Sequence, residues 1–176
     1  MIIGVIPARL DSKRLPEKIL VDLNGKPLIA HTVDRVSESK RLDKVILAID
    51  SKKVERALQE YDFNLVMTSS SHQSGTDRVA EVAKSIPEAE IIINIQGDEP
   101  LINPLVVDSL INSFNNKNVN IATVLSTQLN VSDLLNPNVV KTLVDEKMNV
   151  LDFKRNIYDM ETVSYTHLTL PTNTPV

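Results

Sequence analysis

Apolar runs alternate with helix-period stretches along most of this 176-residue chain. Residues 2–6 form a continuous apolar run that stops at Pro7, which predicts a buried strand. Over 28–39, Ile29, Thr32, Val33 and Val36 recur at helical spacing. Pro27 sits near the start of that helix, where its missing N–H costs nothing. Residues 45–49 read as a second strand, ending at Asp50, and Val54, Ala57, Leu58 and Tyr61 mark the next helix face. Residues 63–67 read as a third strand. A polar loop follows over 68–75, then a helix from near Thr76 that carries Val79, Val82, Ala83 and Ile86 on one face. Residues 91–95 are the most apolar run of all and predict a central strand covered on both faces. Asn103-Pro104 puts a capping side chain before a proline at the first helical position, and Val107, Leu110, Ile111 and Phe114 continue that helix. Residues 121–125 and 139–144 read as further strands.

This alternation predicts an α/β fold: a doubly wound, mostly parallel sheet with helices on both faces. No internal repeat, low-complexity tract or linker interrupts it. One domain is expected over residues 1–157. From Tyr158 the periodicity is lost. The Thr- and Pro-rich residues 158–176 are expected to be an irregular tail foreign to the fold.

Composition narrows the function classes. A hydrophobic share of 42% with 24% charged residues is that of an ordinary globular protein. The net charge of −4 argues against a general nucleic-acid coat, and 3% aromatics without Trp leaves few platforms for base stacking. The absence of cysteine excludes disulfides and thiolate metal sites. No apolar stretch approaches a membrane span, and the N-terminus enters a strand at once rather than a signal peptide. A cytoplasmic protein with no nucleic-acid or membrane partner is expected.

Against this acidic background three strand ends are chemically loaded. After the first strand come Arg9, Lys13, Arg14 and Lys18. After the third comes His72-Gln73-Ser74-Gly75-Thr76-Asp77-Arg78, and after the most apolar strand comes Gln96-Gly97-Asp98-Glu99-Pro100. In a parallel sheet these ends share one edge, where ligands of open α/β sheets bind. Clustered cations suit a polyphosphate. Asp98, after a glycine that admits close approach, suits a hard cation held together with substrate phosphates. Glu99 is a weaker second ligand, because adjacent side chains point apart. Ser74-Gly75-Thr76 can open a helix with free N–H groups that meet an anion or a base edge. Arg78 sits in the first helical turn, against the dipole, which calls for a charged or hydrogen-bonding partner such as Asp77, Glu81 or a ligand. His31 and His72 lack companions at metal or catalytic spacing. Asn24-Gly25-Lys26-Pro27 is a turn rather than a phosphate loop, and no Gly-x-Gly-x-x-Gly follows the first strand.

Pro7-Ala8-Arg9, with Ser12-x-Arg14-Leu15-Pro16-x-Lys18, resembles the signature of sugar-activating nucleotidyltransferases. Three further stretches are His72 to Arg78, Asn94-Ile95-Gln96-Gly97-Asp98-Glu99-Pro100 and Asn136-Pro137-Asn138-Val139-Val140-Lys141. Together with the signature they are similar to the 3-deoxy-manno-octulosonate (Kdo) cytidylyltransferases, over residues 1–155. The resemblance implies a nucleotide-diphospho-sugar transferase-like fold. It implies the reaction of CTP with Kdo to give CMP-Kdo and diphosphate, for lipopolysaccharide biosynthesis, and a homodimer. On the same ground Arg9, Arg14 and Lys18 hold the triphosphate and stabilise the leaving diphosphate, and Asp98 binds Mg²⁺. Ala8, Arg9, Lys18, Ser74, Gly75, Arg78 and Gln96 surround the nucleotide, and Asn138 and Lys141 lie near the sugar acid.

The chain departs from this pattern in two places. Asp152-Phe153-Lys154-Arg155 stands where the family carries Tyr-Phe-Ser-Arg, which points to a related acidic sugar, such as an 8-amino Kdo relative or a nonulosonic acid. The family's later segment, with a second metal-binding aspartate and most of the dimer interface, has no counterpart in 158–176. The chain is therefore expected to be truncated, and a CTP-binding fragment without catalysis is the alternative from another class.

Overall fold

The computed structural model describes residues 1–12, 15–126, 128, 130–156 and the backbone of 168–171; residues 13, 14, 127, 129, 157–167 and 172–176 lie outside the described residues. The described chain forms two compact units, Met1–Val119 and Asn120–Val176. The boundary falls inside the stretch expected as one domain.

The first unit opens with β1 (Ile2–Ala8), whose alternation divides its side chains between two layers. Ile3 and Val5 pack on one face with Val79 and Val82 of α3 (Gly75–Lys84). Ile6 and Ala8 pack on the other with Ile29 and Val33 of α1 (Leu28–Ser37). β2 (Asp22–Leu23) and β3 (Lys26–Pro27) form a small antiparallel hairpin before α1. β4 (Lys44–Ile49), α2 (Lys52–Ala57), β5 (Leu65–Met67), β6 (Ile91–Asn94) and α4 (Pro104–Asn112) complete the layers. The strand order is β5-β4-β1-β6, all parallel, so helices cover both faces as the pattern predicts.

One expectation is corrected. β6 is the outer strand beyond β1, and β1 and β4 hold the centre. Its isoleucines are still covered on both faces. Ile93 joins the α1 and α4 layer with Val107 and Ile111, and Ile92 packs in the α3 layer. An apolar run reports that both faces are covered, and helices can do this at the end of a sheet as well as at its centre.

The second unit is built on antiparallel pairing. β7 (Leu125–Ser126), α5 (Val131–Leu135), β8 (Lys141–Val144), β9 (Val150–Lys154) and β10 (Leu168–Pro171) give the order β7-β10-β8-β9. The strand expected over 121–125 is reduced to Leu125 and Ser126, and Ile121 is 90% exposed. β10 falls within the expected tail and pairs with β7 and β8. No helix among the described residues is long and apolar enough to cross a membrane.

Candidate active site at the carboxyl edge of the parallel sheet

Register aligns the strand ends. Ala8 pairs with Ile49, and Ile49 with Met67, so Arg9, Asp50 and Thr68 form the next row, just past the sheet. Ala8 is buried and Arg9 is exposed, which puts the cation at the surface of the edge. The chain then reaches a 3-10 turn, Lys18–Leu20, anchored by the buried Ile19. This turn returns Lys18 to the same edge. Its Nζ donates to Asp98 Oδ2 at 2.6 Å, with the two side chains 37% and 47% exposed. Two of the expected site residues are thus in direct contact. Arg14 lies outside the described residues.

Asp98 is presented by a tight turn after β6. Ile95 N donates to Val5 O (3.0 Å) and closes the sheet end, leaving Gln96 exposed. A side chain on Gly97 would meet Ile29 Cδ1 at 2.7 Å and Pro7 O at 3.2 Å, so only glycine lets this turn lie against β1 and α1. Thr32 Oγ1 donates to Gly97 O (3.0 Å) from within α1, fixing the peptide that precedes Asp98. Glu99 is half-buried, and this burial, with the Asp98 charge beside it, raises its carboxyl above the usual range.

The third loaded loop is braced from α3. Ser74 caps the helix: its Oγ accepts from Asp77 N (3.1 Å), and Asp77 Oδ2 accepts from Ser74 N (3.1 Å). Gly75 lies against Pro7, where an added side chain would come within 3.2 Å of the ring. Arg78 is 2% exposed. Its ion-pair partner is Asp50 (Nη2 to Oδ2, 3.0 Å), not Asp77 or Glu81, and its Nη1 donates to Thr68 Oγ1 and to Ser69 O. Glu81 instead accepts from Ser69 N (3.0 Å) and bonds His72 Nε2. The Ser69 amide and then the His72 contact hold the Glu81 carboxyl below its usual range. His31 bonds the Leu23 carbonyl (2.9 Å), and neither His31 nor His72 enters the row of strand ends.

Asn138 and Lys141 belong to the second unit. Asn138 is exposed, in the loop before β8. Lys141 is fully buried, and its ammonium donates to three carbonyls: Asn136 O (2.5 Å), Arg155 O (2.7 Å) and Val139 O (3.0 Å). Each of its protons has a backbone acceptor. Arg155 Nη1 also donates to Pro137 O (3.3 Å) and Asn138 O (3.4 Å).

Sequence reasoning missed the roles of Asp50, Thr68 and Thr32, and named Glu81 only as a partner for Arg78. The one available signal was that Asp50 ends a strand whose carboxyl end shares an edge with the loaded loops.

The arrangement offers cations and the exposed carboxylate of Asp98 at the ligand-binding edge of a parallel sheet, which can hold a polyphosphate with a hard cation. The family model for cytidylyltransferases matches residues 3–164. The chain is similar to the 3-deoxy-manno-octulosonate cytidylyltransferase of Histophilus somni, with 44% identity over 155 residues, covering 87% of this chain and 60% of the relative. The enzyme of the same name from Chloroherpeton thalassium is 47% identical over 157 residues, covering 86% and 63%. The chain thus spans about three fifths of the length of these curated relatives. Among solved structures, a CMP:2-keto-3-deoxy-manno-octonic acid synthetase complexed with CTP superposes with a TM-score of 0.82 at 34% identity, covering 97% of this chain and 71% of that one.

Proposed function

The chain belongs to the cytidylyltransferase family, and from that premise we propose that it transfers the cytidylyl group of CTP to the anomeric hydroxyl of Kdo, releasing diphosphate. The observation that carries this reading is the meeting of Lys18 with Asp98 at the carboxyl edge of the sheet, from which the exposed Arg9 also emerges. The names of the relatives and the CTP in the similar solved structure support the choice of substrates.

In this reading the sugar hydroxyl attacks the α-phosphate in line, and the bond to the β-phosphate breaks. The protein's work is positioning and charge neutralisation rather than covalent chemistry. Arg9, Lys18 and Arg14 would hold the triphosphate and take up the charge that develops on the diphosphate. Ala8, Gln96 and the cap at Ser74 and Gly75 would form the walls around the cytidine. Arg78 would act behind that wall, since its guanidinium is occupied by Asp50, Thr68 and Ser69. Asn138 would face the sugar acid, and Lys141 would shape the loop that carries it.

The donor set fits Mg²⁺. Asp98 offers a hard, exposed carboxylate. Among the described residues no group of three or more His, Cys, Asp or Glu could hold a metal by itself. A cation at Asp98 would therefore complete its shell with phosphate oxygens and water, as Mg²⁺ does. Bound there, it would supply charge neutralisation on the phosphates. A homodimer in the cytoplasm, where CTP is available, completes the proposal.

A diphosphate-release assay with CTP, Mg²⁺ and Kdo tests it, beside an 8-amino Kdo relative and a nonulosonic acid. Release with Kdo that falls at least about a hundredfold in Asp98→Asn and Arg9→Ala is the expected result. Equal rates for both variants would remove the site assignment. CTP binding without release would mark a nucleotide-binding chain that does not catalyse.

A further inference from the structure

Asp50 lies in the row of strand ends, and its two carboxylate oxygens face different ways. Oδ2 accepts from Arg78 Nη2 (3.0 Å), and Oδ1 accepts from the Leu10 amide (3.1 Å). The pair is withdrawn from solvent, with side chains 3% exposed for Arg78 and 12% for Asp50. Arg78 in turn reaches Thr68 Oγ1 and Ser69 O, and Thr68 Oγ1 donates to Ile49 O (2.8 Å). One guanidinium and one carboxylate therefore join α3, the ends of β4 and β5, and the first peptide beyond Arg9.

A buried ion pair is weak evidence for stability, because desolvation offsets most of its attraction and an apolar pair of similar volume often serves as well. An apolar pair cannot accept from a backbone amide at a set position. The Leu10 amide is the peptide immediately after Arg9, and Ala8 before it is locked in β1. With both flanking peptides held, the direction in which Arg9 leaves the sheet is determined. We infer that Asp50, oriented by Arg78, is a positioning residue: through the Leu10 amide it aims Arg9 and the start of the basic loop at the triphosphate. The inference rests on the proposed use of CTP and adds a residue that the sequence motifs do not contain. It also accounts for a cation in the first turn of α3, because Arg78 holds Asp50 in place.

The Asp50→Asn variant tests this, because an amide cannot both accept from Leu10 and accept from Arg78 with its second atom. Two quantities are read at a temperature where urea unfolding shows the variant to be folded. The first is CTP affinity by calorimetry, and the second is amide exchange at Leu10 by NMR. Affinity about tenfold weaker and Leu10 exchange at least about tenfold faster, with core amides of β1 and β4 unchanged, is the expected result. Lower stability with unaltered CTP affinity and Leu10 exchange would reduce the pair to a structural bridge and overturn the inference. If Asp50→Asn does not fold, Thr68→Val removes one support of Arg78 and is expected to shift both quantities in the same direction by about threefold; no shift overturns the inference. If the unaltered chain does not bind CTP, the functional reading fails, and Leu10 exchange still decides the positioning role by the same two outcomes.

Discussion

Lys18 and Asp98 stand 80 residues apart in the chain, yet Lys18 Nζ donates to Asp98 Oδ2 at 2.6 Å. The contact neutralises the carboxylate proposed to hold the metal with the cation proposed to hold the phosphate. A triphosphate that draws Lys18 away would expose Asp98 to its cation, so nucleotide and metal would assist each other's binding. Both side chains are more than a third exposed, so solvent screens the pair and its strength is modest. Lys18→Met is expected to bind Mg²⁺ alone about threefold to fivefold more tightly than the unaltered chain, and CTP at least about tenfold more weakly. Calorimetric titration of Mg²⁺ without nucleotide, then of CTP, checks both; equal Mg²⁺ affinities would show that the contact does not compete with the cation.

Gly97→Ala addresses the turn that carries Asp98. The new methyl would sit 2.7 Å from Ile29 Cδ1, 3.2 Å from Pro7 O and 3.4 Å from Ile6 Cγ2. Ile29 is fully buried and has little room to turn, and Pro7 O is backbone. Overpacking of this kind costs about 1–3 kcal/mol. The melting temperature is expected to fall by several degrees, with a further loss of diphosphate release as Asp98 is displaced from Lys18.

Much of the first unit was legible because its signals are local. β1, α1, β4, α3 and α4 each carry a clear period or a clear cap. The Asn103 side chain indeed accepts from Leu105 N (3.0 Å), with Pro104 at the first helical position. Strand order was less legible, since it depends on pairing between distant backbones, and the isoleucines of β6 report only that both faces are covered. β9 escaped notice although Leu151, Asp152, Phe153 and Lys154 alternate apolar and polar: the run is short, and in the structure Val150 to Phe153 are all exposed rather than packed on a core face. It pairs with β8 across a turn in which Asp145 accepts from the Lys147 and Asn149 amides (2.9 and 2.7 Å). In the site, Asp98 and Lys18 stood out by residue type and motif. Asp50 did not, since an aspartate that ends a strand is ordinary until Arg78, 28 residues later, is seen to face it.

The loop over 69–72 should respond to acid through Glu81. Its carboxyl is held below the ordinary value of 4.5, first by the Ser69 amide and then by His72, with Arg78 contributing charge. A carboxyl lowered in the folded state stabilises it above the unfolded value, and that contribution is lost as the pH falls through the folded value. Amide exchange over 69–74 is expected to be faster in Glu81→Gln than in the unaltered chain at neutral pH. The difference should close as the pH drops below 4.5. A difference that persists at acid pH would mean the loop is held by something other than the ionised carboxylate.

Lys141 is expected near the sugar acid from the resemblance alone, and its surroundings in the structure give it a second role to test against that one. As a direct ligand of a sugar carboxylate, it would tolerate replacement without loss of fold and lose only sugar affinity. The structure instead buries it completely, with Asn136 O, Val139 O and Arg155 O around its ammonium. Lys141→Met fills similar volume and leaves those three carbonyls without their donor. Orphaned buried acceptors cost about 1–3 kcal/mol apiece at most, and relaxation toward water recovers part of that, so a loss of about 3 kcal/mol is expected. Lys141→Arg should restore little, because a planar fork does not match donors that diverge toward three carbonyls. Urea unfolding read by circular dichroism checks the stability loss. A Lys141→Met variant with an unchanged midpoint and a raised Kdo requirement would return the residue to the sugar site.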